Sequence, residues 1–279
     1  MPELPEVEHW RRRLTTWLVD ERMDEVRVCD SAVARPTLST RPSTATPAAA
    51  AALVALTGRR VIAVERVGKR LGLRFERGAL VMHLGMTGRW ETGAEPAHAR
   101  LGLRVGERWT WFADARRFGC VVPCALDALQ PALHAGMGPD ALAALPDAEA
   151  LRERLSGRRS LKVALLDQAV LAGLGNIHVV EALWRAGLHP NRAAGSLSLR
   201  ECARLRQGIA EQLADALAQL GEEQELVYLT QGGRNPFTVY GREGARCARC
   251  GEAIVKATLA ARSTWWCPSC QPAPYSNLT

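Results

Sequence analysis

The first residues of the chain combine a potential nucleophile with carboxylates. Aminopeptidases remove an initiator methionine before a small residue, which would leave Pro2 with a free secondary amine. A terminal amine has an ordinary pKa of about 7.7–8.0, so at pH 7 more of it is neutral than of a lysine amine. Such an amine can attack an electrophilic sugar carbon and form an iminium, with Glu3 as the acid or base. The alternative is that Pro2, Glu3, Pro5 and Glu6 simply initiate a helix.

The cysteines near the C-terminus have the spacing of metal ligands. Cys247, Cys250, Cys267 and Cys270 form two Cys-x-x-Cys pairs with sixteen residues between them (267 − 250 − 1). This spacing predicts a zinc ribbon with four thiolates, and a fully ligated ion is structural rather than catalytic. Two disulfides or a redox motif are the alternatives. The remaining cysteines, predicted to be buried or incidental thiols, are Cys29, Cys120, Cys124 and Cys202.

Three glycine-containing segments have features of nucleic-acid sites. Segment 172–177 is a turn between two predicted helices, and its backbone N–H groups with Asn176 as cap suit a phosphate. Lys162 begins the helix before this turn and could face the same backbone. Segments 83–88 and 114–119 each place bulky side chains beside glycines, as enzymes that extrude a base require. A turn without a ligand, and side chains used only for packing, are the alternatives.

Composition and charge limit the class of protein. The chain has 279 residues, 47% hydrophobic and 23% charged, which predicts a globular protein of two ordinary domains. A formal charge of +7 is compatible with a polyanionic partner, although an arginine-rich composition alone would produce it. The longest apolar run, 48–56, is too short to cross a membrane, and the acidic N-terminus is unlike a secretory signal. We therefore expect a cytoplasmic protein without a membrane partner.

Short apolar strands separated by glycine-containing turns dominate the first 130 residues, which is typical of a β-sandwich or barrel. Strands are predicted at 26–28, 61–67, 71–75, 80–84, 101–105, 109–112 and 119–122. A helix from about Glu3 to Val19 precedes them, since Val7, Trp10 and Leu14 recur at helical spacing. The proline-containing stretch 32–47 is expected to be a loop.

The second half changes to Ala, Leu and Arg with helical periodicity. Helices are predicted at 141–145, 148–155, 161–170, 177–186 and 199–221, and short strands return around the cysteines. The fold class is therefore α+β. The expected division is an N-terminal sheet domain at 1–131, a helical domain at 132–232, a four-cysteine module at 233–271 and a tail at 272–279.

Several of these motifs together match one known family. They are Met-Pro-Glu-Leu-Pro-Glu-Val-Glu at 1–8, Gly68-Lys69, and the segments 83–88, 114–119, 166–168, 172–177, 240–242 and 262–264. In this combination, from Pro2 to Gln271, the chain resembles the formamidopyrimidine-DNA glycosylase family, whose sister branch is endonuclease VIII. The resemblance implies a catalytic two-sheet β-sandwich with flanking helices, a helix-two-turn-helix DNA-binding domain and a C-terminal β-hairpin zinc finger. It also implies that DNA binds in the cleft between the halves.

The resemblance implies a base-excision repair enzyme that is both a DNA glycosylase and an AP lyase. Pro2 would attack C1′ of a flipped damaged nucleotide, and Glu3 would assist proton transfer at the sugar. Lys69 would contact the phosphate or deoxyribose of the lesion, and Glu6 matches the active-site floor. The iminium would then undergo β,δ-elimination, so that one site excises the base and nicks the strand.

The resemblance also implies the contacts with damaged double-stranded DNA. The residues that would fill the void left by the flipped nucleotide are Met86, Arg116 and Phe118. Arg116 would read the orphaned base. The residues that would hold phosphates are Lys162, Asn176 and Arg262, with His83 supporting the same backbone. One structural Zn²⁺, a monomer and a nucleoid-associated location in the cytoplasm complete the expectation.

Two features favour the formamidopyrimidine branch, hence oxidised purines such as 8-oxoguanine and formamidopyrimidines. They are Leu4 and the void-filling residues. Segment 231–238 is a few residues shorter than the family's lesion-capping loop, so an endonuclease VIII-like preference for oxidised pyrimidines stays open. Val67 and Val180 also depart from the family, which often has Arg and Asp at these positions.

A catalytically silent protein that binds DNA structure is the alternative outside the enzymes. It would use the same helix-two-turn-helix and zinc finger. The presence of Pro2, Glu3 and Lys69 argues against it, because a silent binder would be free to lose them.

Overall fold

Strands with buried apolar side chains form two antiparallel sheets in the first half of the chain. The computed structural model describes residues 2–38, 41–222 and 235–273. The first sheet contains β1 (Glu25–Val28), β5 (Arg89–Thr92), β6 (Ala99–Val105) and β7 (Arg108–Ala113), in the order β1-β6-β7-β5. The second contains β2 (Val61–Val67), β3 (Arg70–Phe75), β4 (Ala79–His83) and β8 (Cys120–Cys124), in that order. The two sheets confirm the predicted fold class.

Three helices accompany these sheets: α1 (Leu4–Leu18), α2 (Pro47–Val54) and α3 (Leu129–His134). α1 has the predicted extent, and it buries Leu4, Leu14 and Leu18 completely. α3 packs on β3 at Gly72, where a Cβ atom would lie 2.9 Å from the side chain of Leu129. A residue larger than glycine would require the side chains of Leu129 and Leu133 to move.

The sequence-based elements differ from the structure in several places, among them α3, where no helix was predicted. β5 was not predicted, because its residues Arg-Trp-Glu-Thr include a single apolar side chain, Trp90. The predicted helix at 141–145 is wrong: Asp140 Oδ1 accepts hydrogen bonds from Leu142 N and Ala143 N, each at 2.9 Å, and closes a turn instead. The helix predicted at 161–170 ends at Leu166, where Asp167 Oδ1 accepts from Ala169 N at 3.0 Å.

The second half is helical up to a final hairpin. Its helices are α4 (Ala148–Arg154), α5 (Leu161–Leu166), α6 (Asn176–Ala186) and α7 (Leu199–Glu222), and its strands are β9 (Val255–Leu259) and β10 (Arg262–Trp266). A buried cluster joins the hairpin to α6 through Val180, Trp184, Ile254 and Trp265. Val180, which departs from the family pattern, therefore belongs to an apolar contact in which a carboxylate would be unfavourable.

The chain forms two compact units, Met1–Ala135 and Gly136–Thr279. The predicted boundary at residue 232 and most of the predicted tail lie outside the described residues. Among the residues that the structure describes, no helix is both long enough and apolar enough to cross a membrane.

Candidate functional site

Pro2 and Glu3 lie buried at the start of α1. The Glu3 side chain accepts a hydrogen bond from the backbone of Glu6, and Glu6 Oε2 accepts one from Glu3 N at 2.8 Å. This reciprocal capping box satisfies two N–H groups that the first helical turn leaves without intrahelical partners. The helix-initiation reading of this motif is therefore correct, and it also fixes the backbone that carries Pro2. Met1 lies outside the described residues.

Lys69 lies on the turn between β2 and β3, directly after Gly68, whose φ is 56°. Arg66 connects this turn to α1: its Nη1 donates to Gly68 O at 2.9 Å, and its Nε donates to Glu8 Oε2 at 3.0 Å. Glu8 and Arg66 were not among the predicted site residues. The signal for Glu8 was its position three and four residues before two arginines. Arg66 lies 58 residues from Glu8 and had no such signal.

Glu8 lies among three guanidinium groups. Arg11 Nε and Nη2 and Arg12 Nε each donate to its carboxylate at 2.9 Å, in addition to Arg66. Burial alone would raise the pKa of Glu8, but the hydrogen bonds from Arg11, Arg12 and Arg66 outweigh it and lower the pKa to about 2. The carboxylate is therefore ionised throughout the neutral pH range.

The two segments predicted to carry void-filling residues, 83–88 and 114–119, contact each other. Gly85 has a φ of 64°, and a Cβ there would lie 2.4 Å from Gly119 N and 2.6 Å from the Phe118 carbonyl carbon. Glycine at this position therefore permits the close approach of the two loops. Met86, at 38% exposed, projects from the first loop, and the guanidinium of Arg116 lies 4.9 Å from the centre of the Phe118 ring. The structure thus brings this predicted trio onto adjoining loops.

Asp114 holds both loops in place. Its Oδ1 accepts hydrogen bonds from the Thr87 hydroxyl and from Arg116 N, and its Oδ2 accepts from Gly119 N at 2.7 Å. His83, on the strand that leads into the first loop, accepts at Nδ1 from Gly85 N at 3.1 Å. Asp114 is almost completely buried, so these bonds are shielded from competing water.

Arg35 binds the backbone of segment 114–119, and it was not predicted from the sequence. It is fully buried and donates to Arg117 O and Gly119 O from Nη2, each at 3.1 Å, and to Ala32 O from Nε at 3.1 Å. No spacing signal identified it, because the loop carbonyls of Arg117 and Gly119 lie more than eighty residues away along the chain.

In the second unit, Lys162 and Asn176 converge on the hairpin of β9 and β10. Lys162 Nζ donates to Ser263 O at 3.0 Å and to Thr264 Oγ1 at 2.6 Å, and Asn176 Nδ2 donates to Ser263 O at 3.0 Å. Asn176 Oδ1 has no hydrogen-bond partner in the part of the chain that the structure describes. Arg262, exposed at the start of β10, lies one residue before this shared carbonyl.

Lys162 is fully buried. Burial, followed by the positive charge of Arg262, lowers the pKa of Lys162 to about 8. Two positive groups thus lie close to a backbone turn at the start of α6, which is the arrangement expected of a phosphate site. The three predicted phosphate holders belong to one local cluster.

The four cysteines of the second unit fit a tetrahedral metal. Their sulfur atoms all lie within 4.8 Å of one another, with distances of 3.9 Å for Cys247–Cys270, 3.4 Å for Cys250–Cys267 and 3.5 Å for Cys250–Cys270. A zinc ion with four sulfur bonds of about 2.3 Å requires sulfur–sulfur distances of about 3.8 Å. These thiols form the site of one structural zinc, which would tie the two Cys-x-x-Cys turns together.

Two further residues connect α6 to the four-cysteine module and to the segment that precedes it. Arg249 donates to Trp184 O and Arg185 O at the C-terminal end of the helix, each at 2.8 Å, and its guanidinium lies over the Trp184 ring. Glu181, buried within α6, accepts from Thr238 N, Val239 N and Tyr240 N. Residues 235–238 are the described part of segment 231–238, which was compared with the lesion-capping loop, and residues 231–234 lie outside the described residues.

The predicted site residues fall into two groups. Those in the first unit are Pro2, Glu3, Glu6, Lys69, His83, Met86, Arg116 and Phe118. Those in the second unit are Lys162, Asn176, Arg262 and the four zinc ligands.

Comparisons with known families define the class first. The model of the formamidopyrimidine-DNA glycosylase N-terminal domain matches residues 1–121, and that of the formamidopyrimidine-DNA glycosylase H2TH domain matches residues 137–225. The zinc finger found in FPG and IleRS matches residues 244–273. The chain thus has the three parts of a zinc-finger DNA glycosylase.

Whole-chain relatives give the family. The formamidopyrimidine-DNA glycosylase of Geotalea uraniireducens is 38% identical over 281 residues, which cover 97% of this chain and 100% of the relative. That of Paracoccus denitrificans is 40% identical, with the same two coverages. The Lactococcus lactis Fpg in complex with abasic-site DNA has a TM-score of 0.83 and 30% identity, covering 98% of this chain and 100% of that one. The chain belongs to the formamidopyrimidine-DNA glycosylase family.

Proposed function

We propose that this protein excises oxidised purines from DNA and then nicks the strand at the resulting abasic site. The observation that carries the proposal lies in the first unit. A capping box holds Pro2 and Glu3 at the buried start of α1, and Arg66 links the same helix to the turn that bears Lys69. A secondary amine, a carboxylate and a second amine are the groups that iminium chemistry at a sugar requires.

The proposed reaction begins after removal of Met1. The lone pair of Pro2 nitrogen forms a bond to C1′ while the glycosidic bond breaks, and the departing base takes the electron pair and a proton. The attached nitrogen loses its proton, the C1′–O4′ bond breaks with its electron pair and a proton going to O4′, and the nitrogen lone pair forms the C=N bond of an iminium that acidifies the C2′ hydrogen. Loss of that proton expels the 3′ phosphate, and a second elimination expels the 5′ phosphate. Glu3 moves protons at the sugar, and Lys69 holds the lesion's phosphate or deoxyribose.

The lesion class rests on the relatives. Lactococcus lactis Fpg has been solved with DNA that contains an abasic site and with DNA that contains Fapy-dG, and MutM with DNA that contains carbocyclic 8-oxo-G. We assign the same classes to this chain. Met86, Arg116 and Phe118, on loops fastened by Asp114, would fill the void left by the flipped nucleotide, with Arg116 facing the orphaned base.

The second unit would hold the DNA backbone. Lys162, Asn176 and Arg262 supply positive charge and N–H donors around one turn, and His83 supports the backbone from the first unit. In this assignment residues 1–131 carry the chemistry, and residues 132–232 and 233–271 bind DNA. The protein would act as a monomer on double-stranded DNA, in the cytoplasm and at the nucleoid.

Borohydride trapping tests the proposal, because it reduces the iminium to a stable covalent adduct. Duplexes with 8-oxoguanine opposite cytosine, an oxidised pyrimidine or an abasic site are compared, with Pro2→Gly as the control. We expect an adduct on the 8-oxoguanine duplex that disappears in the variant. Trapping only on the oxidised-pyrimidine or abasic duplex would keep the lyase activity but contradict the assignment of oxidised purines as the substrate. Binding without any trapping would favour a silent DNA binder.

Intact-mass spectrometry tests the first requirement of this chemistry. Retention of Met1 in an active enzyme would make the Pro2 nitrogen an amide, and the assignment of the nucleophile would then be wrong.

A further inference from the structure

Three arginines contact Glu8, but their surroundings differ. The side chain of Arg12 is 59% exposed and that of Arg11 is 31% exposed, and both belong to the same helix as Glu8. The side chain of Arg66 is only 4% exposed and comes from β2. Arg11 and Arg12 are therefore intrahelical partners of a common kind, whereas Arg66 is a buried contact between two elements.

Arg66 donates hydrogen bonds to both α1 and the turn that bears Lys69. Nε binds the Glu8 carboxylate at 3.0 Å, and Nη1 binds the carbonyl of Gly68 at 2.9 Å. Gly68 directly precedes Lys69, and Glu8 lies in the second turn of the helix that begins after Glu3. One planar guanidinium thus spans the N-terminal helix and the turn. Its fixed fork transmits position in a way that a single flexible ammonium would not.

In the local sequence, Arg66 is the residue that can connect the turn bearing Lys69 to α1. Val67, at 7% exposed, faces the core and has no charged group to offer the turn. Arg66 is therefore the only arginine in the two positions before Gly68-Lys69. Gly68 has a left-handed φ of 56°, so its carbonyl direction is set by the turn and not by a regular strand.

We propose that Arg66, anchored by Glu8, is a positioning residue that sets the placement of Lys69 relative to Pro2 and Glu3. This inference rests on the proposed function, because it concerns how the two amines meet one sugar. In this role Arg66 acts through Lys69 and not on the sugar directly. Effective catalysis depends on holding reacting groups within a fraction of an ångström, and a misplacement of about 1 Å can cost about a hundredfold in rate.

The hydrogen bonds make a specific test possible. Arg66→Gln removes the bridge to the turn, Arg66→Lys keeps a positive charge without the fork, and Arg12→Gln removes one arginine from Glu8 but leaves the turn untouched. Single-turnover trapping on an abasic duplex reports the chemistry. The dissociation constant for a duplex with a stable tetrahydrofuran abasic analogue reports binding, and thermal melting reports the fold.

We expect Arg66→Gln to slow trapping by about tenfold or more, while DNA affinity changes by less than about threefold. Arg66→Lys should stay slow, and Arg12→Gln should trap at the wild-type rate. If Arg66→Gln melts below the assay temperature, Arg66→Lys decides the question by the same criteria. If Arg66 had only a structural role, its substitution would lower the melting temperature and would reduce the trapping rate and the DNA affinity to the same extent.

Three outcomes would overturn the inference: a wild-type trapping rate in the folded Arg66 variants, an equal slowing in Arg12→Gln, or a loss of affinity that matches the loss of rate. These outcomes differ from failure of the proposed function. If wild-type protein forms no adduct, or Pro2→Gly still forms one, the proposed function fails first. If wild type traps and Pro2→Gly does not, the Arg66 variants test the positioning role by itself.

Discussion

Lys69 and Lys162 are both proposed to act on DNA, yet they are held in different ways. Lys69 lies on a turn between two strands of a four-stranded sheet, and Arg66 ties that turn to a long buried helix. Lys162 donates to Ser263 and Thr264, which belong to a sheet of two strands. An isolated two-stranded hairpin is marginal in water. The first unit therefore positions its lysine by packing, whereas the second depends on zinc.

The largest expected effect follows from this dependence. Replacing Cys267 by Ser, or removing zinc with a chelator, should weaken DNA binding by about a hundredfold or more, because a structural zinc site supplies folding free energy of about 10 kcal/mol. The first unit should stay folded. Fluorescence anisotropy measures affinity, hydrogen exchange over residues 2–135 measures the fold, and elemental analysis verifies the metal content.

Cys29→Ser is the matched control for the zinc variant, since Cys29 is exposed and lies in the first unit. It should retain full affinity. Normal DNA binding by protein verified to be free of metal would contradict the contrast between the two units.

A narrower test concerns Lys162 itself. Lys162→Met should weaken DNA binding by about tenfold at moderate salt and reduce the salt dependence by about one phosphate contact. Lys256→Met is the control, because Lys256 lies on β9 of the same hairpin but is exposed. Salt titrations of both variants measure the effect. An unchanged slope in Lys162→Met would remove this residue from the phosphate site.

The pKa of Lys162 gives this test a pH signature. With a pKa of about 8, the free protein loses the charge of Lys162 as the pH rises from 7 to 9, so affinity should fall. Between about pH 8 and pH 10.5 the unfolded chain keeps the Lys162 proton while the folded chain releases it. The free energy of unfolding should therefore rise as the pH increases from about 8 to 10.5. Lys162→Met should lose both trends. Binding and melting curves at several pH values measure them.

A substitution of Asp114 tests whether packing and hydrogen bonds within the first unit position its proposed DNA-contacting loop. Asp114→Asn replaces one acceptor oxygen by an amide, which should cost about 1–3 kcal/mol of stability and loosen the loop that carries Arg116 and Phe118. We expect discrimination between cytosine and adenine opposite 8-oxoguanine to weaken while abasic-site cleavage continues. Asp127→Asn, an exposed aspartate, serves as the control. Equal losses on both substrates would argue against a role in reading the opposite base.

Sequence patterns predicted the parts that depend on local chemistry. The helix over α1 followed from the spacing of Val7, Trp10 and Leu14, and the zinc site followed from two Cys-x-x-Cys pairs. Both signals work because neighbouring residues carry them. The roles of the proposed catalytic and DNA-contacting residues came from the family resemblance and stay predictions.

Long-range polar contacts were beyond the sequence. Arg35, Arg66 and Glu181 hold elements separated by up to 84 residues, and their partners are largely backbone atoms without sequence identity. Segment 141–145, Ala-Leu-Ala-Ala-Leu, was wrongly predicted as a helix from its composition. It forms a turn because the Asp140 side chain accepts from Leu142 N and Ala143 N and so competes with helical hydrogen bonds.

The smallest expected effect concerns a helix start that carries none of the proposed site residues. Glu201 forms a capping box with Ser198 at the start of α7, and its carboxylate also accepts a hydrogen bond from Arg192. Burial alone would raise the pKa of Glu201, but the hydrogen bonds from Arg192 and Ser198 outweigh it and lower the pKa to about 2. Its contribution is therefore complete above about pH 4.5 and is lost as the pH falls toward 2. Glu201→Gln should cost about 1 kcal/mol at neutral pH, flatten the acid limb of the stability curve and leave trapping unchanged. Glu211→Gln, on the exposed face of the same helix, should change neither stability nor its pH dependence. If both variants lose equal stability, the helix start is not where the carboxylate acts.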